Sequence, residues 1–130
     1  MFELTNAQRL FRRLRPLIEV SELSQAARRH SEDMLRQRFF AHLNPDRKTV
    51  ADRVRAALNR EMSASAENLW MRTGAVTSAE KIVEEAVAQL MDSRPHRRNI
   101  LNSRYTHLGV GVAVTRSEIR VTQLFARFER

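Results

Sequence analysis

Cysteine is absent from the 130 residues. This excludes a disulfide framework, a thiolate metal site and a cysteine nucleophile. Lysine is scarce, with only Lys48 and Lys81, so nearly all the positive charge is arginine. Aromatic residues make up 6 % and rarely alternate with basic ones, so a base-stacking platform and specific nucleic-acid recognition are not expected. No apolar run is long enough to cross a bilayer. The first residues show no basic stretch followed by an apolar one, so no export leader is expected within this sequence. These absences suit a cytosolic protein and a bacterial secreted one equally.

What is present is a chain of ordinary apolar content, 42 %, long enough for one domain with its own core. The formal net charge is +8. Such a surface attracts polyanions without specificity, among them nucleic acid, anionic lipid and acidic envelope polymers.

The most informative stretch is residues 93 to 114. Pro95 suits the first turn of a helix, where its missing N–H is not needed. His96 then sits in that turn. Further on, Leu108, Val110, Val112 and Val114 alternate with Gly109, Gly111 and Ala113, the period of a strand. One face of that strand is branched and apolar. The other is nearly bare, so a neighbouring element can approach its backbone closely.

Elsewhere the periodicity is mostly helical. Leu4, Leu10, Phe11, Leu14, Leu17 and Ile18 form an inward stripe, with Thr5 or Asn6 as cap and Pro16 as the stop. A second helix runs from about Ser21, its cap, to Arg38, with Leu23, Ala27, His30 or Ser31, and Met34 inside. His30 alone makes no site, so it is expected to be a hydrogen-bonded core histidine. Phe39 and Phe40 plug a loop into the core and fix His42 behind them, and Asn44-Pro45-Asp46 is turn chemistry. Thr49 caps a helix from Val50 to about Leu58, with Asp52 in its first turn. Residues 59 to 65 read as loop, with room for an extended edge. Glu67 enters an apolar run, Leu69-Trp70-Met71, where a carboxylate is costly unless bonded or paired. Capping of neighbouring N–H groups or pairing with an arginine, on one side, and a functional role, on the other, carry equal weight there. Gly74 ends the segment. Thr77 or Ser78 starts a helix that buries Ile82, Val83, Ala86, Val87, Leu90 and Met91. After the glycine strand, Ile119 to Phe128 returns as an antiparallel strand. It is apolar on both faces, so helices are expected above and below the sheet.

In order, Asn6-Ala7-Gln8-Arg9, Phe39-Phe40-Ala41-His42, Pro45-Asp46 followed by Arg53, Ala66-Glu67-Asn68-Leu69, Ser93-Arg94-Pro95-His96-Arg97-Arg98-Asn99-Ile100-Leu101, Tyr105-Thr106, Leu108 to Ala113 and Thr122-Gln123-Leu124-Phe125 resemble the CAP superfamily. That superfamily comprises cysteine-rich secretory proteins, antigen 5 and pathogenesis-related 1, and the likeness is to its bacterial SCP-like branch. It extends over about residues 5 to 126. It implies a three-layer α-β-α sandwich with a small central antiparallel sheet, and export to an extracellular or periplasmic location. It also implies a cavity of two histidines and two acids that holds a divalent metal, often zinc. By motif, His42, Glu67 and His96 stand at three of those places. Ser93 stands where the second acid belongs, Leu90 replaces a tryptophan, and Pro95 replaces a glycine. Two histidines and one glutamate are a zinc set with a place open for water.

Two functions follow from the resemblance. One is a monomeric binding module, for a lipid, an envelope component or a protein partner, with zinc or another divalent cation optional. The other is a metal-dependent hydrolase in which zinc activates water and Glu67 is base or ligand. No hydroxyl nucleophile stands beside a histidine with a third orienting group, so a triad is not supported. Binding is preferred, because a fold-level likeness does not carry an activity.

Overall fold

The computed structural model describes residues 1–75 and 78–128. Helix α1 spans Phe2–Phe11 and strand β1 Ile18–Glu19; α2 (Ser21–Gln37) and α3 (Val50–Leu58) follow. Strand β2 is Met62–Thr73, then come α4 (Ala79–Asp92) and α5 (Arg94–Ile100), and finally β3 (His107–Val114) and β4 (Glu118–Phe128). The sheet order is β1-β3-β4-β2. The main ladders are antiparallel, with Val112 opposite Val121 and Leu69 opposite Thr122. The two residues of β1 add a parallel edge to β3.

Helices cover both faces, as the doubly apolar β4 requires. On one side Ile82, Ala86 and Leu90 of α4 and Ile100 of α5 pack on Trp70, Leu108 and Phe125. On the other, Leu23 and Ala27 of α2 and Val54 of α3 pack on Leu124, Ala126 and Phe128. The bare face of β3 is where α2 sits. A Cβ on Gly111 would lie 2.0 Å from the Arg28 nitrogen, and one on Gly109 would lie 2.3 Å from the Leu23 carbonyl carbon. Ser31 hydroxyl donates to the Gly111 carbonyl at 2.9 Å, and the Val110 N–H donates to Ser24 Oγ at 3.2 Å. The helix therefore touches the strand backbone itself.

Several expectations are corrected. Leu10 and Phe11, read as part of an inward stripe, are 56 % and 85 % exposed. Helix α1 instead buries Thr5, Asn6 and Arg9. Asn6 makes a two-way clamp with the Leu17 backbone, at 2.9 and 2.7 Å. Arg9 donates to the carbonyls of Arg15, Ile100 and Asn102, each at 2.9 Å. A polar face buries well when every group on it is bonded. The helix stops at Phe11, ahead of Pro16, and the chain turns through Arg13 in the left-handed region (φ 61). Ser21 begins α2, but the cap is Val20, whose N–H bonds to Leu108 as the chain leaves the β1 edge. Phe40 is exposed; Phe39 alone is partly covered, edge-on to His30. Residues 62 to 65, in the stretch read as loop with room for an extended edge, belong to β2, because pairing along the whole of β4 overrides their weak strand preference. Ser78 caps α4 through the Lys81 N–H; Thr77, the other candidate, lies outside the described residues.

The close approach at Gly111 gives a direct test. Gly111→Ala should destabilise by about 3 kcal/mol, at the upper end of overpacking costs, because the contact is with backbone that cannot rotate away. Val112→Ala, at a half-exposed position on the opposite face, should cost under about 1 kcal/mol. Urea unfolding of both variants measures this, and equal midpoints would contradict the packing.

Candidate functional site

Glu67 enters the interior because β2 alternates. Its neighbour Asn68 faces α5, where it donates to the His96 carbonyl at 3.0 Å and accepts from Asn99 at 2.8 Å. Glu67 faces α2 and α3, and its side chain has no exposed surface. A carboxylate so placed needs full compensation. Arg53, one turn into α3, supplies a fork: Nη1 to Oε2 at 2.7 Å and Nη2 to Oε1 at 3.0 Å. The same guanidinium donates to the His42 carbonyl at 2.6 Å, tying the loop down. His42 Nδ1 lies 2.8 Å from Oε1. An ionised carboxylate only accepts, so Nδ1 carries the proton and Nε2 is left free. The His42 side chain is 56 % exposed, so that nitrogen is on offer to solvent.

Burial is the largest single influence on Glu67, and it pushes the carboxyl pKa up. The hydrogen bonds from His42 and Arg53, with the nearby charges of Arg53 and His30, outweigh it and hold the group below its ordinary range. His30 completes the enclosure. It is buried in α2, its Nε2 donates to the Ala41 carbonyl at 2.9 Å, and it stands 3.9 Å from Glu67 Oε1. Its Nδ1 is buried without a partner. Burial holds the His30 pKa below its ordinary 6.5, although the charge of Glu67 opposes this.

The structure thus joins His42 to Glu67 and adds Arg53 and His30. His96 occupies the first turn of α5, half-buried, with its carbonyl anchored to Asn68. Its pKa is lowered by burial and then by the charge of His42. Ser93 is the hinge between helices: its N–H bonds to Leu90 as α4 ends, and its carbonyl accepts from Arg97 as α5 begins. Among the described residues, no three or more His, Asp or Glu side chains are grouped to hold a metal ion. Of the set implied by the resemblance, His42 and Glu67 are bonded to each other, and His96 lies near enough for the charge of His42 to act on it. Both Glu67 oxygens are committed to Arg53, whose fixed positive charge opposes a cation there, and α5 is anchored through the other face of β2. Glu67 thus serves as the orienting partner of the His42 ring.

Arg53 had a readable signal, since an arginine partner was among the open readings of Glu67. His30 had only its place on the inner stripe of α2, which a core histidine shares.

Removing one partner of a buried pair costs about 3 kcal/mol or more. Arg53→Met should lose that much at pH 7, and its deficit should shrink in acid, where Glu67 protonates and no longer needs the guanidinium. In the wild type, a lowered Glu67 contributes stability above about 4.5, its ordinary value, and loses it as pH falls further. The lowered histidines act earlier: below 6.5 the unfolded chain takes up protons that buried His30 does not. Denaturant midpoints should therefore decline in two stages below pH 6.5 and pH 4.5. A flat profile down to pH 4 would contradict the electrostatics described.

A family model described as the cysteine-rich secretory protein family, CAP, matches residues 2–125. The Bacillus subtilis protein YkwD is 36 % identical over 109 residues, which cover 84 % of this chain and 39 % of that protein. The crystal structure of an extracellular protein containing an SCP domain from Bacillus anthracis superposes with a TM-score of 0.78 at 31 % identity, over 97 % of this chain and 38 % of that one. An outer surface protein of Borrelia burgdorferi shares the fold at 16 % identity, with a TM-score of 0.80 over 98 % of this chain and 90 % of its own. The chain spans under two fifths of the length of the two Bacillus proteins. The two structural relatives are extracellular or surface proteins by their descriptions. Among the described residues no helix is long and apolar enough to cross a membrane. With its mixed sheet between two helical layers and a family match along nearly its whole length, the chain belongs to the CAP, or cysteine-rich secretory protein, family.

Proposed function

We propose that residues 1–130 act as one bacterial CAP-domain unit on the extracellular or periplasmic side, and that its task is recognition rather than catalysis. The observation that carries this reading is the His42–Glu67–Arg53 arrangement. A rigid imidazole offers Nε2 outward, while its carboxylate is locked from behind by a guanidinium. A carboxylate held below its ordinary range by such a partner is a poor general base. It is a good clamp for the ring it orients.

The recess beside His42 is walled by Leu43, Val50 and Ala51, with Thr49 and Ser65 at its polar edge. That mixture suits a ligand with an apolar body and one polar group aimed at Nε2. A lipid, another envelope component or a protein partner meets the description. Ser93 and His96 are proposed to complete the surface from the α5 side. The extracellular relative from Bacillus anthracis supports the location.

Co-sedimentation with isolated bacterial cell-envelope fragments tests the reading. His42→Ala should weaken binding up to about tenfold, the loss of one hydrogen bond, with an unchanged circular dichroism spectrum. Ser117→Ala, in the exposed β3–β4 turn, should bind as the wild type does. Equal binding by His42→Ala would sink the proposal, and turnover of peptide or ester substrates abolished by His42→Ala would establish a catalytic role instead. Zinc calorimetry should give no saturable uptake at micromolar protein. A one-to-one isotherm lost in His96→Ala would restore the ligand set.

A further inference from the structure

At the β1 end of the sheet, away from His42, the chain builds a second concave surface of about 780 Å³. It shares no lining residue with the recess beside His42. Four arginines from three segments converge on it: Arg13 and Arg15 from the turn after α1, Arg60 from the α3–β2 link, and Arg127 from the end of β4. Tyr105 and His107 form part of its floor.

No acidic side chain lines this cleft, and among the described residues none of the four guanidiniums lies within ion-pair distance of a carboxylate. Elsewhere the same chain pairs its arginines readily, as Arg28 does with Glu32, Arg36 with Asp33 and Arg72 with Glu85. Several like charges facing one concavity raise a strong positive potential, which a bound anion relieves. The geometry also holds the cations in place. Arg60 lies over the Phe128 ring, 4.0 Å from its centroid, and His107 packs on the same ring at 4.3 Å. Arg127 is held by one nitrogen, which donates to the Arg104 carbonyl at 3.1 Å, leaving the rest of its fork free. Arg9 lines the base of the cleft, and through the Arg15 carbonyl it fixes the turn that carries Arg13 and Arg15.

Planar guanidiniums match the paired oxygens of phosphate better than ammonium groups do, and this cleft has arginine and no lysine. Its volume is that of a small-molecule site. We propose that the cleft binds a phosphate-bearing ligand in which two neighbouring phosphate groups are shared among Arg13, Arg15, Arg60 and Arg127. The phosphates come either from a soluble compound or polymer, or from the headgroups of an anionic lipid surface.

Calorimetry with inorganic tripolyphosphate at low salt tests this on three proteins: the wild type, Arg15→Gln/Arg127→Gln, and Arg98→Gln/Arg116→Gln. Both double variants remove two exposed positive charges, but only the first alters the cleft. The cleft pair should bind at least about tenfold more weakly, since charge-assisted hydrogen bonds are lost, and the control pair should stay within about twofold of wild type. Sedimentation with phosphatidylglycerol vesicles, against phosphatidylcholine alone, then separates the sources. Vesicle binding that follows the same variant pattern and is displaced by tripolyphosphate assigns the lipid surface; tripolyphosphate binding without vesicle binding assigns a soluble ligand. No tripolyphosphate binding by the wild type, or equal weakening by both pairs, overturns the proposal. Single-stranded oligonucleotide binding that both pairs weaken equally, in place of tripolyphosphate binding, overturns it too, because that is general charge attraction.

Discussion

Burying Glu67 without any exposed surface is the constraint that organises one side of this molecule. Desolvating a carboxylate costs several kcal/mol after relaxation, roughly the whole stability of many domains. The compensation must therefore be complete, and it is drawn from three segments. Arg53 comes from α3, His42 from the loop before it, and His30 from α2. Each donor is itself held. Thr49 and Asp52 form a capping box that sets the start of α3 and so the bearing of Arg53. The His30 ring reaches the Ala41 carbonyl and pins the loop next to His42. Removing Arg53 leaves Glu67 with an uncompensated charge. The fold and the candidate site are held by the same bonds on this side.

The opposite face of β2 repeats the logic without charge. Asn68 bonds at once to the His96 carbonyl, to Asn99 and to Gln123, and Gln123 passes the chain on to Thr5 of α1. This network joins α5, β2, β4 and α1 through groups that have no exposed surface or little of it. Such networks specify one arrangement when every member is satisfied. Here they replace the apolar stripe that the periodicity of α1 predicts. They also explain why much of the ordered motif set is polar. Asn6, Arg9, Asn68, Asn99 and Gln123 are anchors between elements.

The two concave surfaces differ in kind. The recess beside His42 has a single oriented imidazole, a locked carboxylate and apolar walls. The cleft beside β1 has many cations, no acid, and aromatic rings beneath. The first suits a ligand recognised by shape and one hydrogen bond. The second suits one recognised by charge, and its affinity is bound to fall with salt. A net charge of +8 is thus not spread evenly in effect. Part of it is neutralised in local ion pairs, and part is concentrated at one end of the sheet.

Residue pattern by itself determined the amphipathic helices α2, α3 and α4, the glycine strand with its bare face, the β3–β4 hairpin and the helical cover on both sides. Those features follow from period and from local chemistry that neighbouring residues set. The ordered motifs determined the family, and the cost of a carboxylate in an apolar run marked Glu67 as needing a partner. Tertiary structure decided the rest. Residues 62 to 65 became strand only because β4 offered a ladder, and the short β1 formed only because β3 had a free edge. Leu10 and Phe11 stayed in solvent because Thr5, Asn6 and Arg9 found partners far away in sequence. Whether His42, Glu67 and His96 form one ligand set is likewise invisible in spacing. The fork from Arg53 to Glu67 is equally invisible there, because it depends on how α3 lies against β2, and spacing along the chain does not set that.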